Sequence, residues 1–383
     1  MQLRRYFAPC LLAAAVTITG LMFAQSGPKK ETGDTVSRPK RKSSDSPSEK
    51  PPEPDGPKIP SKLQKKAPGE GPADGPTFRS DTTTITVDVA VLDNRGRFIP
   101  GIPKSTFRIL EDGAPQTVTG FSTGESPITL ALVIEFSNQF QQYWSYGWQE
   151  TLTACYGFIQ TLKPEDSIAV VAFDLRSEIL SDFSTDRRNT MEALQRLRIP
   201  GFSESNMYDA LTDISDRMSD IEGRKAILYI GSGMDTFSKI TFDQTRRKLQ
   251  TASVPIYALG TLQALREWYD SRGAMGPIAR LDFLQADNQL RTFSKETGGQ
   301  AWFPRFFGEY GNIFRSINEA LRNTYSLAYQ PTNTARDGKF RKLKVDLVNP
   351  QTGEALKITD ERGKPMKYQV IAKTGYTAPR EVE

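Results

Sequence analysis

From Ile128 onward the chain alternates short, wholly apolar segments with amphipathic ones, and this alternation restricts the fold more than any other feature. The apolar segments are Ile128–Ile134, Ile168–Phe173, Ala226–Ile230, Ile256–Leu259 and Ala301–Phe303. The amphipathic ones are Gln149–Leu162, Met207–Ile221, Phe242–Thr251, Phe283–Glu296 and Asn312–Tyr325. A strand without a polar face must be buried on both sides, and helices placed between such strands supply the cover. The pattern predicts an α/β fold, a doubly wound, mostly parallel sheet with helices on both faces.

The flanks read differently. Ile85, Val87, Val89 and Val91 alternate with Thr86, Asp88 and Ala90, the period of a half-buried strand. Phe107–Leu110 and Val118–Phe121 surround Glu111-Asp112-Gly113, which predicts a hairpin. Beyond Tyr325, Leu343, Val345 and Leu347 alternate with Lys344 and Asp346, and Tyr368–Tyr376 supplies a last strand. Entry and exit of an inserted domain usually lie close together. The two flanks are therefore expected to form one small β-sandwich. The expected organisation is an N-terminal β segment at 81–125, the α/β domain at 126–327, and a C-terminal β segment at 328–383 packed on the first.

Residues 1–24 read as a signal peptide, with Arg4 and Arg5 ahead of an apolar run from Cys10 to Ala24. An uncleaved membrane tether through residues 6–24 is the alternative. Residues 25–80, rich in Pro, Lys and Ser, cannot bury enough surface to offset ordering and read as a disordered linker. The linker holds 12 Lys and Arg against 8 Asp and Glu. With the two leading arginines it accounts for more than the whole chain's net charge of +5, which leaves the body at −1. A nucleic-acid partner therefore has no electrostatic footprint in the body. The chain contains no histidine, which excludes Ser-His-Asp and Cys-His catalysis and histidine-ligated metals. Cys155 is the one cysteine beyond the leader and reads as a small buried apolar residue.

In an open parallel sheet, ligands bind at the carboxyl ends of the strands. The first strand ends in Ile134-Glu135-Phe136-Ser137-Asn138-Gln139, and the third in Gly231-Ser232-Gly233-Met234-Asp235. Ser203-Glu204-Ser205-Asn206 opens the helix between them. Several further segments follow in order: ILEDG (109–113), MYDAL (207–211), SGMDT (232–236), FSKETGGQAWF (293–303), YSLAYQP (325–331) and TGY (374–376). Together, over roughly Thr82 to Pro379, they resemble the von Willebrand factor type A domain in its bacterial, secreted, VWFA-related form. The resemblance implies a metal-ion-dependent adhesion site of the pattern Asp-x-Ser-x-Ser with a Thr and a second Asp. Such a site suits Mg²⁺, a hard cation that takes oxygen ligands in a near-ideal octahedron.

Matched position by position, Glu135 stands for the first Asp, Ser137 matches, and Gln139 replaces the second Ser. Ser205 replaces the Thr and Ser232 the second Asp, with Asp235 nearby. One carboxylate in place of two predicts a degenerate site with no cofactor; Glu135, Ser137 and Ser205 are the weak candidates for any residual Mg²⁺. Phe140, Tyr143, Trp144, Tyr146 and Trp148 follow the first site loop, and Trp268 and Tyr269 lie in what reads as another loop on the same side. Exposed Trp and Tyr anchor binding hot spots, so Tyr143, Trp144, Trp268 and Tyr269 are the candidate partner-binding residues. The expected function is a non-enzymatic, exported binding or adhesion module for a protein or envelope component, working without metal. Alternatives are an assembly scaffold of the cell envelope, or a hydrolase using Glu135 and Asp235 as paired carboxyls.

Overall fold

A computed structural model describes residues 83–380 apart from 95, 124–125, 199–200, 274–275 and 360–362, and omits the side chains of 138–146, 278 and 279. The expected leader and linker (1–80) lie outside the described residues, as does the tether at 6–24. Among the described residues no helix is long and apolar enough to cross a membrane.

The chain opens with strands β1 (Ile85–Asp93), β2 (Phe107–Glu111), β3 (Ala114–Gln116) and β4 (Val118–Thr123). The α/β part follows: β5 (Ile128–Glu135), α1 (Asn138–Thr161), β6 (Ser167–Phe173), β7 (Ser177–Ser184), α2 (Arg187–Gln195), α3 (Met207–Ser219) and β8 (Arg224–Gly231). It continues with α4 (Phe242–Ala252), β9 (Ile256–Gly260), α5 (Leu262–Ser271), α6 (Pro277–Thr297), β10 (Ala301–Trp302) and α7 (Tyr310–Arg322). The chain closes with β11 (Tyr325–Tyr329), β12 (Phe340–Leu347), β13 (Ile358–Thr359), β14 (Pro365–Met366), β15 (Tyr368–Ala372) and β16 (Gly375–Thr377).

The α/β sheet runs β10-β9-β8-β5-β6-β7, parallel except for β7, which pairs antiparallel with β6 at the edge. This is the predicted doubly wound sheet. Each apolar strand feeds two cores, as burial on both faces requires. Leu130, Leu132 and Ile134 pack under α1 and α7, through Cys155, Phe158, Phe314 and Ile317. Ala131 and Val133 face α3, α4 and α6, through Leu211, Leu249 and Phe293. From β5 the chain moves outward to β6 and β7, then crosses back to β8 on the other side of β5. The crevice at a doubly wound sheet's switch point therefore falls between the carboxyl ends of β5 and β8.

The flanking strands form two four-stranded sheets, β15-β1-β11-β4 and β16-β12-β2-β3, around a core that includes Val87, Val89, Ile109, Tyr325, Leu327 and Leu343. Each sheet takes strands from both ends of the chain. β4 leads into the α/β part and β11 leads out of it, and the two are hydrogen-bonded neighbours. β11 straddles the expected boundary at 327/328 and pairs entirely within the sandwich.

Three local expectations differ from the structure. The hairpin partner of β2 is β3 rather than β4, because Asp112 (φ 48°) and Gly113 (φ 88°) make a two-residue turn that leaves no longer loop. The first helix begins at Asn138 instead of Gln149, so Tyr143 and Trp144 lie on a helix and not in a loop. Trp268 and Tyr269 likewise belong to helix α5. In both places aromatic residues break the apolar period without breaking the helix, since aromatics cost a helix only a few tenths of a kcal/mol each.

Candidate functional site

Glu135 is the last residue of β5 and is only 6% exposed. Its Oε2 accepts from the Ser232 amide (2.6 Å), the Ser232 hydroxyl (2.6 Å) and the Tyr229 hydroxyl (3.3 Å). Its Oε1 accepts from the Ser137 hydroxyl alone, at 3.2 Å. Ser137 is the N-cap residue of α1, yet its hydroxyl makes no cap bond and turns to the carboxyl group instead. Burial raises the Glu135 pKa above the ordinary carboxylate value, and the bonds from Ser232, Ser137 and Tyr229 only partly oppose the rise. No Lys or Arg forms an ion pair with it among the described residues.

Room for the longer acid comes from Gly231. A Cβ at that position would stand 2.6 Å from Glu135 Oε2, 2.6 Å from the Tyr229 hydroxyl and 2.7 Å from Glu135 Cβ. Tyr229 is fully buried, donates to Glu135 and accepts from the Gly233 amide at 3.0 Å. Burial and the neighbouring carboxyl raise its pKa well above the usual phenol value, so it remains a donor. In the sequence Tyr229 is one more residue of an apolar strand. The only signal was a hydroxyl in the otherwise aliphatic run Ala226–Ile230, and a buried Tyr hydroxyl needs a partner.

The remaining expected ligands serve the loops. Ser205 donates its hydroxyl to the Met234 carbonyl (3.0 Å), and its amide donates to the Thr236 hydroxyl (2.8 Å), tying the loop before α3 to the loop after β8. Asp235 accepts from the Tyr208 amide (3.1 Å) and from the amide and hydroxyl of Ser238 (3.3 and 2.5 Å). It thus caps α3 in trans, satisfying an amide of its first turn. Asp235 is thus engaged with α3 and Ser238, and no hydrogen bond joins it to Glu135 among the described residues. Gln139, Tyr143 and Trp144 have side chains outside the described residues.

Above Glu135 lies a cavity of about 50 Å³, room for a few waters. Glu135, Ser137, Ser232 and Thr261 supply its polar lining, and Trp148, Leu262, Leu265, Phe307 and Tyr310 its walls. Trp148 packs on Phe136 at 5.2 Å between ring centroids and donates to the Leu197 carbonyl at 3.4 Å. Trp268 is half-buried, edge-on to Tyr269 at 5.0 Å and covered by the Arg272 guanidinium at 4.0 Å. Among the described residues, Phe237 (60% exposed), in the loop after β8, and Phe306 (66%), in the loop after β10, are the most exposed aromatics. Neither was singled out by sequence, because an isolated Phe in a loop carries no periodic signal.

No family model and no curated protein matches the chain. Among solved structures it is similar to a von Willebrand factor type A protein from Catenulispora acidiphila (12% identity, TM-score 0.40), over 78% of this chain and 76% of that one. It is also similar to proximal thread matrix protein 1 of the mussel byssus (12%, TM-score 0.40, 55% of this chain), of which it spans about half the length, 51%. A third is the vWF domain of the type V pili tip protein Mfa5 from Porphyromonas gingivalis (12%, TM-score 0.38), over 51% of this chain and 97% of that one. The strand order, with its one antiparallel edge and its switch point between β5 and β8, decides the architecture. This is the doubly wound α/β architecture that the resemblance to von Willebrand factor type A domains implies. At these identities the likeness concerns the fold alone.

The metal that the type A fold implies does not fit the residues present. Mg²⁺ requires several oxygen ligands free to converge on one point. Here Oε2 of Glu135 already takes three donors, and the Ser232 and Ser205 hydroxyls are turned to different acceptors, Glu135 and the Met234 carbonyl. Ser232 brings no charge where the resemblance implies a second Asp. The described residues contain no cluster of three or more His, Cys, Asp or Glu able to hold a metal ion.

Proposed function

We propose that this chain is an exported, non-catalytic binding module that docks a protein or envelope component on the carboxyl-end face of its parallel sheet, without a divalent metal. The observation carrying this reading is the hydrogen-bond set around Glu135, in which residues matching adhesion-site ligands bond one another. Hydroxyls and a carboxyl group that bond each other hold the loops in place at no cost in unpaired polar groups. The loops after β8 and β10 offer Phe237 and Phe306 as exposed apolar anchors of the kind that carry interface energy. Export rests on the leader-like residues 1–24. Catalysis is disfavoured by the absence of histidine and by the engagement of Asp235 with α3.

The test is thermal unfolding of the chain titrated with Mg²⁺, Mn²⁺ and Ca²⁺ to millimolar concentration. The expected result is an unchanged melting temperature for both wild type and Ser137→Ala. A ligand that binds only the native state must raise the melting temperature, so a rise that Ser137→Ala removes would sink the metal-independent reading. For the face itself, Phe237→Ala with Phe306→Ala should leave stability within about 0.5 kcal/mol, as surface changes do, while weakening capture from envelope extracts.

A further inference from the structure

We infer that the cavity over Glu135 is a socket for the ammonium group of a lysine side chain presented by the docked partner. This rests on the docking reading above and names the chemistry of its centre.

The polar end of the cavity asks for a donor. Oε2 of Glu135 is saturated by three donors, but Oε1 has one, from Ser137 at 3.2 Å, and a carboxylate oxygen accepts about two. Thr261 and Tyr310, each with a hydroxyl, are among the lining residues. An ammonium group supplies three donors and no acceptor, so it needs only what this lining offers. A metal ion, by contrast, needs several oxygen ligands converging on one point, and the described residues hold no cluster of three or more acidic side chains to supply them. A partner's carboxylate, which a metal-loaded site attracts, would here meet a buried acid with no cation between them.

The walls fit the rest of a lysine. Trp148, Leu262, Leu265 and Phe307 are apolar, as a methylene stem requires when only its tip is charged. The rings of Trp148 and Tyr310 also favour a cation over a neutral group of the same shape. About 50 Å³ admits a headgroup and the end of its stem, not a whole ligand, which suits one side chain reaching in from a docked surface. Among the described residues no Lys or Arg lines the cavity.

The experiment measures thermal unfolding of the full chain in tens of millimolar Nα-acetyl-lysine amide. Nα-acetyl-norleucine amide, its uncharged counterpart, and Nα-acetyl-glutamate amide serve as comparisons at matched ionic strength. The lysine derivative should raise the melting temperature at least threefold more than either comparison. Glu135→Gln, which keeps the shape of the side chain, should abolish that excess, and so should Leu265→Trp, which fills the cavity from its wall. Circular dichroism on each variant establishes that it folds, and either folded variant suffices. No excess for lysine over norleucine, or an excess that survives in a folded variant, overturns the socket. The metal titration separates this failure from that of the docking reading: without a metal response, a missing lysine response sinks the socket alone.

Discussion

Asp166 and Glu135 are buried acids at opposite ends of the same parallel sheet, and they live in opposite electrostatic settings. Asp166, at the amino end, accepts from the amides of Ile128 (3.0 Å) and Lys163 (2.8 Å) and is held in a two-armed pair by Arg322. Burial pushes its pKa up, but the guanidinium and the amides together outweigh burial and bring it below the ordinary value. Glu135, at the carboxyl end, has amide and hydroxyl donors but no cation, so burial prevails and its pKa rises. One fold therefore uses the same functional group as a closed structural clamp at one end and leaves it charge-uncompensated at the other. A buried acid with its own arginine holds strands together; one without is a place where something else can bring the charge.

The comparison breaks most visibly at Asp166. Asp166→Asn would leave Arg322, 9% exposed, without its counter-charge. Removing one partner of a buried pair costs about 3–5 kcal/mol, which a shift of the denaturant midpoint would measure. An unchanged midpoint would mean that the pair is not a clamp.

A smaller loss is expected at the other end from Gly231→Ala, whose new Cβ collides with Glu135 and Tyr229. Overpacking of this kind costs about 1–3 kcal/mol. Glu135→Asp in the same chain should recover part of it by withdrawing one methylene. If the double variant is no better than Gly231→Ala alone, the glycine is not there to accommodate the acid.

The smallest effect is in pH dependence, and its sign differs between the two acids. Asp166 has a lowered folded pKa, so its stabilisation is present above the unfolded value of about 3.9 and is lost as pH falls through the folded one. Glu135 has a raised folded pKa. Its native state holds the proton more tightly, so stability is greatest below about pH 4.3 and declines as pH rises through the folded pKa. Glu135→Gln should remove that decline and make the protein more stable than wild type at neutral pH. Equal pH profiles for the two proteins would show that Glu135 is not the uncompensated acid described.

Much of this was legible in the residues. Wholly apolar runs announced strands covered on both faces, and Glu135, Ser137 and Ser232, read as matching one site, do meet through hydrogen bonds. Ser205 and Asp235 lie in the loops expected, but their side chains serve loop geometry, because a hydroxyl or carboxyl takes whichever buried donor or acceptor the fold presents. Tyr229 and Gly231 were not legible as site residues. Nothing in a local pattern says that a strand tyrosine points at an acid 94 positions away, or that a glycine leaves space for it. Trp268 and Tyr269 read as loop residues, and the first helix reads as starting only at Gln149, since an aromatic run has no clear helical period.

The sequence by itself determined the kind of chain this is. Apolar periodicity settles which segments are strands and which faces are buried, the lack of histidine removes whole classes of chemistry, and Glu135 for Asp with Ser232 for a second Asp lowers the charge of the site. Only the tertiary structure decided what that remaining charge meets. Tyr229 and Ser232 reach Glu135 from the carboxyl end of β8, which the doubly wound crossover places beside β5, whereas the arginine lies at the far end with Asp166. A pKa depends on burial and on neighbours a few Å away, and those neighbours are set by strand order and loop packing between residues far apart along the chain.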